Sequence, residues 1–308
     1  MDNTLIKTKI HFSLVILILL ILPVSSSCQN QPIPKFDQEL AFRHLETQCN
    51  FGARVPGTEP HQQCRQYLVQ TLRKYTNQVT TQSFQITVGS GGPPATCYNI
   101  IANFLPKKKQ RILLCAHWDT RPWADQDPNP ANRSKPVPGA SDGASGVSVL
   151  LEIARLIHLS PPKYGVDIVF FDAEDLGTYG NNESWALGSK EFAQRLSRRY
   201  HPEFGILVDL VGDADQQLYM ENNSYQYARK IVERVWNKAG DLGIVTFIPE
   251  VKHDVYDDHI NLLQVGIQCI NIIDFDYPYW HTIEDTPDKC SPQSLGNVGR
   301  VLVELLYR

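Results

Sequence analysis

The sequence lacks any long run of basic residues, and its longest, at positions 107–109, is typical of a solvated turn. With a formal net charge of −4, this absence argues against nucleic acid as a partner. The sequence also lacks a Cys-x-x-Cys pair, which argues against a cysteine-ligated zinc site. No internal repeat is visible. What is present is a chain of 308 residues, 42% of them hydrophobic, which suffices for one sizeable globular domain.

The N-terminus has the pattern of an export signal. Lys7 and Lys9 precede an apolar run from Phe12 to Leu22, which ends at Pro23 and a cluster of small residues. That run is shorter than the roughly 20 apolar residues that a membrane-spanning helix needs, so a membrane anchor is the weaker alternative. We therefore predict a signal peptide over residues 1–27 and a protein that is secreted, periplasmic or lipid-anchored outside the cytoplasm.

Cys28 stands where a bacterial lipoprotein carries its lipidated cysteine, although Ser25 occupies the position at which leucine is usual. A lipid on Cys28 is the one membrane contact that we expect, and its presence is left open. Residues 28–35 are predicted to be a Pro-rich linker, and residues 36–308 a single domain that we expect to be a monomer. The six other cysteines leave two alternatives, disulfides or free buried thiols.

Strand-like and helix-like segments alternate along the chain, which predicts an α/β fold: a three-layer sandwich with a mixed, mostly parallel central sheet flanked by helices. Two helices are expected between residues 36 and 75, separated by a turn at Pro56-Gly57. The predicted strands are 111–116, 167–171, 204–208 and 267–273. The later predicted helices are 144–158, 188–200, 224–239 and 292–307.

Polar side chains follow each of the four predicted strands. His117 and Asp119 follow the first, the acids 174 and 175 the second, and Asp209 the third, while His281 comes a short loop after the fourth. In open α/β sheets, ligands bind in the crevice outside the carboxyl ends of the strands. We therefore expect these side chains to converge on one crevice.

Asp142 lies in a segment of small residues, Gly139 to Gly146, just before a predicted helix. Aspartate is also a common helix N-cap, and that structural role is the alternative here. The small neighbours let the backbone come close to a metal or a substrate, which favours a ligand role.

Glu174 and Asp175 are adjacent acids after a strongly apolar strand, where they need a compensating cation because unpaired buried charge is costly. A structural salt bridge is the alternative. Adjacent residues can point in different directions, so one can bind a metal while the other faces the reacting atoms. Asp142, Asp175 and His281 supply the three N/O ligands typical of a catalytic zinc site, and Glu174 is the candidate general acid/base.

A second metal is one interpretation of the remaining polar residues. His117 and Asp209 could hold it about 3.5–4 Å from the first ion, with Asp142 as the bridge, as in two-metal hydrolases. The other interpretation is a hydrogen-bond network around a single metal. Asp285 and Glu284 are candidate hydrogen-bond partners of the ligands, and surface positions are the alternative for both.

The ordered set of His117-x-Asp119, Asp142, Glu174-Asp175, Asp209 and His281 resembles the co-catalytic zinc aminopeptidase family over roughly residues 36–308. Within that family, Asp257-Asp258-His259 and Trp280-His281-Thr282 are similar to the animal-type glutaminyl-peptide cyclotransferases. Three positions depart from those enzymes, which have glutamate for Asp175, histidine near Asn271 and tryptophan near Tyr179.

The resemblance implies a single zinc-dependent catalytic domain with a zinc-aminopeptidase-like fold. It implies that Glu174 shuttles protons, that the neighbouring catalytic acids Asp209 and Asp257 share a hydrogen bond, and that Trp280 walls the substrate pocket. Trp185 and Tyr279 are further candidates for that aromatic pocket.

The implied reaction is cyclisation of the N-terminal glutamine of a peptide or protein to pyroglutamate with release of ammonia, at one zinc ion that acts as a Lewis acid. The alternative is a di-zinc aminopeptidase in which Glu174 activates a metal-bound water against the first peptide bond. A third alternative is a catalytically silent module that binds peptides. The retained Glu174 argues against it, since a binder needs no proton shuttle.

Overall fold

The computed structural model describes residues 1–2, 33–89 and 91–308. All but the first two residues of the predicted signal peptide, together with Cys28 and most of the predicted linker, lie outside these residues and stay predictions. Residues 33–308 form one compact unit. Among the described residues, no helix is long and apolar enough to cross a membrane.

A six-stranded sheet runs through the centre of this unit, and a short parallel pair of strands lies beside it. The strands are β1 Val79–Thr87, β2 Pro94–Phe104, β3 Arg111–His117, β4 Gly165–Phe171, β5 Phe204–Asp209, β6 Leu218–Met220, β7 Phe247–Val251 and β8 Cys269–Ile273. The central sheet has the order β1-β2-β4-β3-β5-β8. Strands β4, β3, β5 and β8 are parallel, whereas β2 pairs antiparallel with both β1 and β4.

Helices cover both faces of the sheet. They are α1 Gln38–Asn50, α2 Glu59–Arg73, α3 Gly146–Leu159, α4 Leu187–Gln194, α5 Asn222–Asp241, α6 Asp258–Gln264 and α7 Pro292–Tyr307. On one face, Leu150 of α3 and Leu302 of α7 belong to the large apolar core that includes Leu114 of β3. On the other face, Phe192 of α4 packs in a smaller core with Leu113, the preceding residue of β3. Successive strand residues thus point to opposite faces, and the predicted three-layer sandwich with a mixed, mostly parallel sheet is confirmed.

The hairpin of β1 and β2 was not predicted from the sequence. Only Val79 and Phe84 are buried in the edge strand β1, and they lie five residues apart. Their spacing gives neither the alternation of a half-buried strand nor a continuous apolar run. Strand β2 was missed because small or polar residues, Ala95, Asn99 and Ala102, occupy several of its buried positions and weaken the apolar pattern of a strand.

The helix predicted over residues 188–200 is wrong at its C-terminal end, because α4 ends at Gln194. Beyond it, the Ser197 hydroxyl accepts a hydrogen bond from the backbone N–H of Arg199. Such side-chain-to-backbone bonds compete with helical hydrogen bonds.

The six described cysteines are all free thiols, which decides between the two alternatives left open by the sequence.

Gly146 is the first residue of α3 and lies in close contact with the sheet. A Cβ at this position would lie 2.0 Å from the carbonyl oxygen of Val208 in β5, so a side chain would push the helix away. The small residues around Asp142 therefore bring this part of the chain close to the strands that carry other polar residues.

Candidate metal centre and cleft

The side chains predicted to converge do meet at the carboxyl edge of the central sheet. His117 and Asp209 are the last residues of β3 and β5, and Asp175 lies four residues beyond β4. His281 comes from the loop after β8, and Asp142 from the irregular turn before α3. All five are buried.

Asp142, Asp175 and His281 form one cluster in which the potential ligand atoms lie within 4.8 Å of one another. The Nε2 atom of His281 is 3.0 Å from Asp175 Oδ1 and 3.6 Å from Asp142 Oδ2. The buried oxygens Asp142 Oδ2 and Asp175 Oδ2 have no hydrogen-bond partner. Burial also raises the pKa of Asp175 to about 8. A divalent cation would satisfy both oxygens, and one imidazole with two carboxylates is a donor set that fits zinc.

His117, Asp142 and Asp209 form a second cluster beside the first. His117 Nε2 lies 3.1 Å from Asp142 Oδ1 and 3.0 Å from Asp209 Oδ1. Asp142 is therefore common to both clusters, as the interpretation with a bridging aspartate requires. The same distances suit a hydrogen-bonded network around one metal. Although burial alone would lower it, the Asp209 charge and the hydrogen bonds with the surrounding acids raise the pKa of His117 well above its usual value.

Two buried aspartates, Asp119 and Asp285, accept hydrogen bonds from the backbone of the segments that carry candidate metal ligands. The Asp119 carboxylate accepts hydrogen bonds from the backbone N–H groups of Glu174 (3.1 Å) and Asp175 (3.2 Å). The Asp285 carboxylate accepts from the N–H groups of Ser141 (2.8 Å) and Asp142 (3.1 Å). Each ligand segment is therefore fixed by a carboxylate from a distant part of the chain.

Gly143 allows the turn that carries Asp142. Its φ is +95°, and a Cβ there would lie 2.9 Å from both the Asp119 carbonyl oxygen and the His117 ring. Any other residue would be strained and would push against the residues that hold the site.

Glu284, the other acid suggested as a hydrogen-bond partner of the ligands, is exposed and lies at the surface.

The clusters open into a cleft with a volume of about 170 Å³. Trp185 and Trp280 line it, as predicted, together with Tyr179 and Phe275. Tyr279 lines a separate cavity instead, next to Lys289. The reason is local, because Tyr279 packs edge-on against Tyr277 while its neighbour Trp280 stacks on His281.

Glu174 and Asp257 are the two buried acids that line this cleft without belonging to either cluster, whereas Asp254 lines it as an exposed residue. Burial, and then the Asp257 charge, raise the pKa of Glu174 well above its usual value. Burial, and then the Asp209 charge, raise the pKa of Asp257 to about 6. The cleft therefore holds neighbouring carboxyl groups that compete for protons, as in sites of acid/base chemistry.

The expected hydrogen bond between Asp209 and Asp257 is absent from the described part of the chain. Asp257 Oδ2 accepts instead from the Nδ2 of Asn271, at 2.6 Å. Asp209 Oδ1 accepts from His117 and from the backbone N–H of Leu210, at 3.0 and 2.8 Å. Asn271, not Asp209, is therefore the hydrogen-bond partner of Asp257, which the residue pattern alone could not reveal.

Two residues that contact the ligands were missed as site residues. Arg121 Nη1 donates to the carbonyl oxygen of Asp175 at 3.1 Å, and its guanidinium lies 4.8 Å from the centre of the Trp185 ring. The Tyr179 hydroxyl lies 2.9 Å from Nδ1 of His281. The position of Arg121 shortly after the His-x-Asp pair was the one signal available for it, whereas Tyr179 was noted only as a departure.

The fold and the site define a class: α/β proteins with a zinc-type carboxylate and histidine centre at the carboxyl edge of a mostly parallel sheet. Residues 99–306 match the model of peptidase family M28, and the chain belongs to that family. The family is zinc-dependent, in agreement with the donor set of the first cluster.

The chain is equally similar in fold to two solved structures, one described as a glutaminyl cyclase and the other as a leucine aminopeptidase precursor. The chain is 39% identical to a glutaminyl cyclase from Bacteroides thetaiotaomicron, with 90% of this chain and 99% of that chain covered and a TM-score of 0.86. It is also 39% identical to a structure described as a leucine aminopeptidase precursor from the same organism, with 90% and 98% covered and a TM-score of 0.86.

A curated relative is the glutaminyl-peptide cyclotransferase of Bothrops jararaca, which is 25% identical over 67% of this chain. The match spans 64% of the length of that relative.

Proposed function

We propose that the chain is a glutaminyl-peptide cyclotransferase that converts the N-terminal glutamine of peptides or proteins into pyroglutamate and releases ammonia. The observation that carries this proposal is the pair of acids, Glu174 and Asp257, that line one small aromatic cleft beside the metal cluster. The similarity to the Bacteroides glutaminyl cyclase over 99% of that chain supports it.

Asp142, Asp175 and His281 would hold the zinc ion. When bound, zinc supplies a Lewis acid for the side-chain amide oxygen of the substrate, where negative charge develops. Glu174 takes a proton from the attacking α-amine and returns one to the departing nitrogen. A bond forms between the α-nitrogen and the side-chain carbonyl carbon, the bond from that carbon to the amide nitrogen breaks, and ammonia leaves.

The aromatic wall orients the substrate and excludes water. Trp280, Trp185 and Phe275 enclose the cleft in which the reacting groups meet. Orientation is the main requirement, because the attacking amine and the amide belong to one residue. Exclusion of water matters as well, since water would hydrolyse the amide to glutamate instead.

A di-zinc aminopeptidase is the second candidate, because the cluster of His117, Asp142 and Asp209 can also hold a metal. The similarity to the leucine aminopeptidase precursor agrees with it. In that reaction, Glu174 would remove a proton from the attacking water rather than from the substrate amine.

The deciding experiment incubates the purified protein with a glutaminyl and a leucyl peptide and measures zinc per chain. We expect pyroglutamate and ammonia from the first peptide, no cleavage of the second, and one zinc ion per chain. Leucine release with two zinc ions per chain and no pyroglutamate would refute the cyclotransferase proposal.

We also propose that the protein acts outside the cytoplasm as a monomer, with any membrane contact made through a lipid on Cys28. The charged, apolar and small-residue pattern of residues 1–27 supports export. Mass spectrometry of the mature N-terminus tests it. Cleavage before Cys28 with an added lipid mass would support the lipoprotein form, and an unprocessed Met1 would refute export by this signal.

A further inference from the structure

The two ring nitrogens of His281 face different surroundings. Nε2 points into the metal cluster, 3.0 Å from Asp175 Oδ1. Nδ1 points away from it and lies 2.9 Å from the hydroxyl oxygen of Tyr179. A neutral imidazole that binds a metal through one nitrogen carries its proton on the other, and that proton needs an acceptor.

The other neighbours of His281 leave this role to Tyr179. Trp280 stacks on the ring at 3.9 Å between centroids, and Trp185 lies parallel to it at 6.0 Å. These rings fix the plane of the imidazole but accept no conventional hydrogen bond. Asp125 Oδ1 is 3.7 Å from Nδ1, beyond hydrogen-bonding distance, and its carboxylate is held by Arg121 at 2.8 and 2.6 Å.

The backbone of His281 is also held by a neighbouring residue, Gln126. Its backbone N–H donates to the carbonyl oxygen of His281 at 3.2 Å. The His281 backbone has a positive φ of 55°, an uncommon conformation for a residue other than glycine. Backbone and ring are therefore both held by neighbours outside the metal cluster.

We propose that Tyr179 is a positioning residue for the metal centre, whose phenol oxygen accepts the Nδ1 proton of His281 and so keeps Nε2 directed at zinc. This inference rests on the zinc site of the proposed function but not on the reaction catalysed there. Tyr179 is 49% exposed and also lines the cleft, so the residue that steadies the metal ligand is one that an arriving substrate touches.

The chemistry of the phenol oxygen makes the proposal specific. A phenol oxygen can accept a hydrogen bond, an indole N–H can only donate, and a phenyl ring can do neither. Tyr179→Phe and Tyr179→Trp both keep an aromatic wall but remove the acceptor. Tyr256→Phe is the matched control, because Tyr256 also lines the cleft and the same hydroxyl is removed.

The experiment measures the zinc dissociation constant of each metal-free protein by competition with a chromophoric chelator, in the absence of any peptide. We expect Tyr179→Phe and Tyr179→Trp to bind zinc about tenfold more weakly, the lower range for loss of an outer hydrogen-bond partner. We expect Tyr256→Phe to bind zinc as the wild type does. Saturating zinc should restore most of kcat in Tyr179→Phe.

Unchanged zinc affinity in Tyr179→Phe would overturn the proposal. A raised KM with unchanged zinc affinity would likewise overturn it and would make Tyr179 a wall of the cleft only. If Asp125→Asn weakens zinc binding and Tyr179→Phe does not, Asp125 is the acceptor and the proposal fails. Because zinc affinity is read without substrate, these outcomes are independent of whether the protein cyclises glutamine.

Discussion

Asp119 fixes the backbone of two adjacent residues of the candidate site. Its two carboxylate oxygens accept hydrogen bonds from the N–H groups of the consecutive residues Glu174 and Asp175. With this stretch of backbone fixed, the Asp175 side chain meets His281 and the Glu174 side chain lines the cleft. In the proposed reaction, the metal ligand Asp175 and the proton carrier Glu174 are therefore adjacent in the sequence but have different roles.

For the single residue Glu174, we predict that Glu174→Gln lowers the rate of cyclisation by a factor of roughly 100 to 10,000, since the amide cannot carry the proton. Zinc content should not change, because Glu174 is outside the ligand cluster. Ammonia release from a glutaminyl peptide and zinc per chain are the measurements.

Glu183→Gln is the matched control for that prediction, because Glu183 is an exposed acid whose ion pair is with Lys190. Its turnover should stay within a factor of two of the wild type. If Glu174→Gln keeps turnover within tenfold, Glu174 is not the proton carrier.

The residue types at the site could be predicted from the sequence, but their contacts could not. Asp142, Asp175 and His281 stood out because acids and histidines next to apolar strands need compensation. The contact between Tyr179 and His281 depends on how a loop folds back, and no local pattern encodes it. Tyr279 and Trp280 are adjacent aromatic residues, and only packing decides which of them reaches the cleft.

Among the elements, the parallel strands of the central sheet could be predicted, but the antiparallel edge of the sheet formed by β1 and β2 could not. Strands β3, β4 and β5 are buried along almost their whole length, which gives the apolar runs that the sequence displays. Edge strand β1 is mostly exposed and needs only two buried residues. Sequence patterns report burial, so elements with little burial escape them.

Strand β8 ends next to Asp274, a buried acid outside the cleft that Trp185 and Trp280 line. Its Oδ2 accepts a hydrogen bond from the backbone N–H of Gln217 at 2.8 Å. Burial, and then the Asp213 charge, raise its pKa from 3.8 to about 7. The folded state therefore binds the proton more tightly than the unfolded state, and this group's contribution to stability is present below about pH 4 and lost as the pH rises through 7.

We predict that Asp274→Asn removes this part of the pH dependence. Between pH 5 and pH 8, the Tm of the wild type should fall more than that of Asp274→Asn, because the amide cannot ionise. Thermal unfolding at both pH values measures the difference.

Asp288→Asn serves as the control for the pH experiment. Asp274 and Asp288 both line the cavity that contains Tyr279, but Asp288 is exposed, and hydrogen bonds with Thr286 and Lys289 lower its pKa, so it stays ionised over this window. This variant should follow the wild type. Parallel curves for wild type and Asp274→Asn would contradict the prediction.

On the scale of the whole molecule, the candidate metal centre brings together residues from five separate parts of the fold. Its residues come from β3, the turn before α3, the end of β4, the end of β5 and the loop after β8. Without a cation, several buried carboxylates face one another there, which is costly. Bound metal should therefore stabilise the folded state as well as support the reaction.

We predict that a strong chelator lowers the Tm of the purified protein by several degrees and that added zinc restores it. Free zinc at about 1,000 times the dissociation constant stabilises a protein by about 4 kcal/mol. Differential scanning calorimetry measures the shift. His281→Ala should show a much smaller zinc-dependent shift, and an equal Tm with and without chelator in the wild type would refute the prediction.

The spread of the site along the chain also sets the order of events during synthesis. From His117 to His281, the residues of the two clusters span more than half of the sequence. A nascent chain on the ribosome carries its acidic residues long before the histidine that completes the first cluster emerges. A metal at the first cluster could therefore be held only after the C-terminal segment has arrived, and a chain cut short before His281 would carry the acids of that cluster without its histidine.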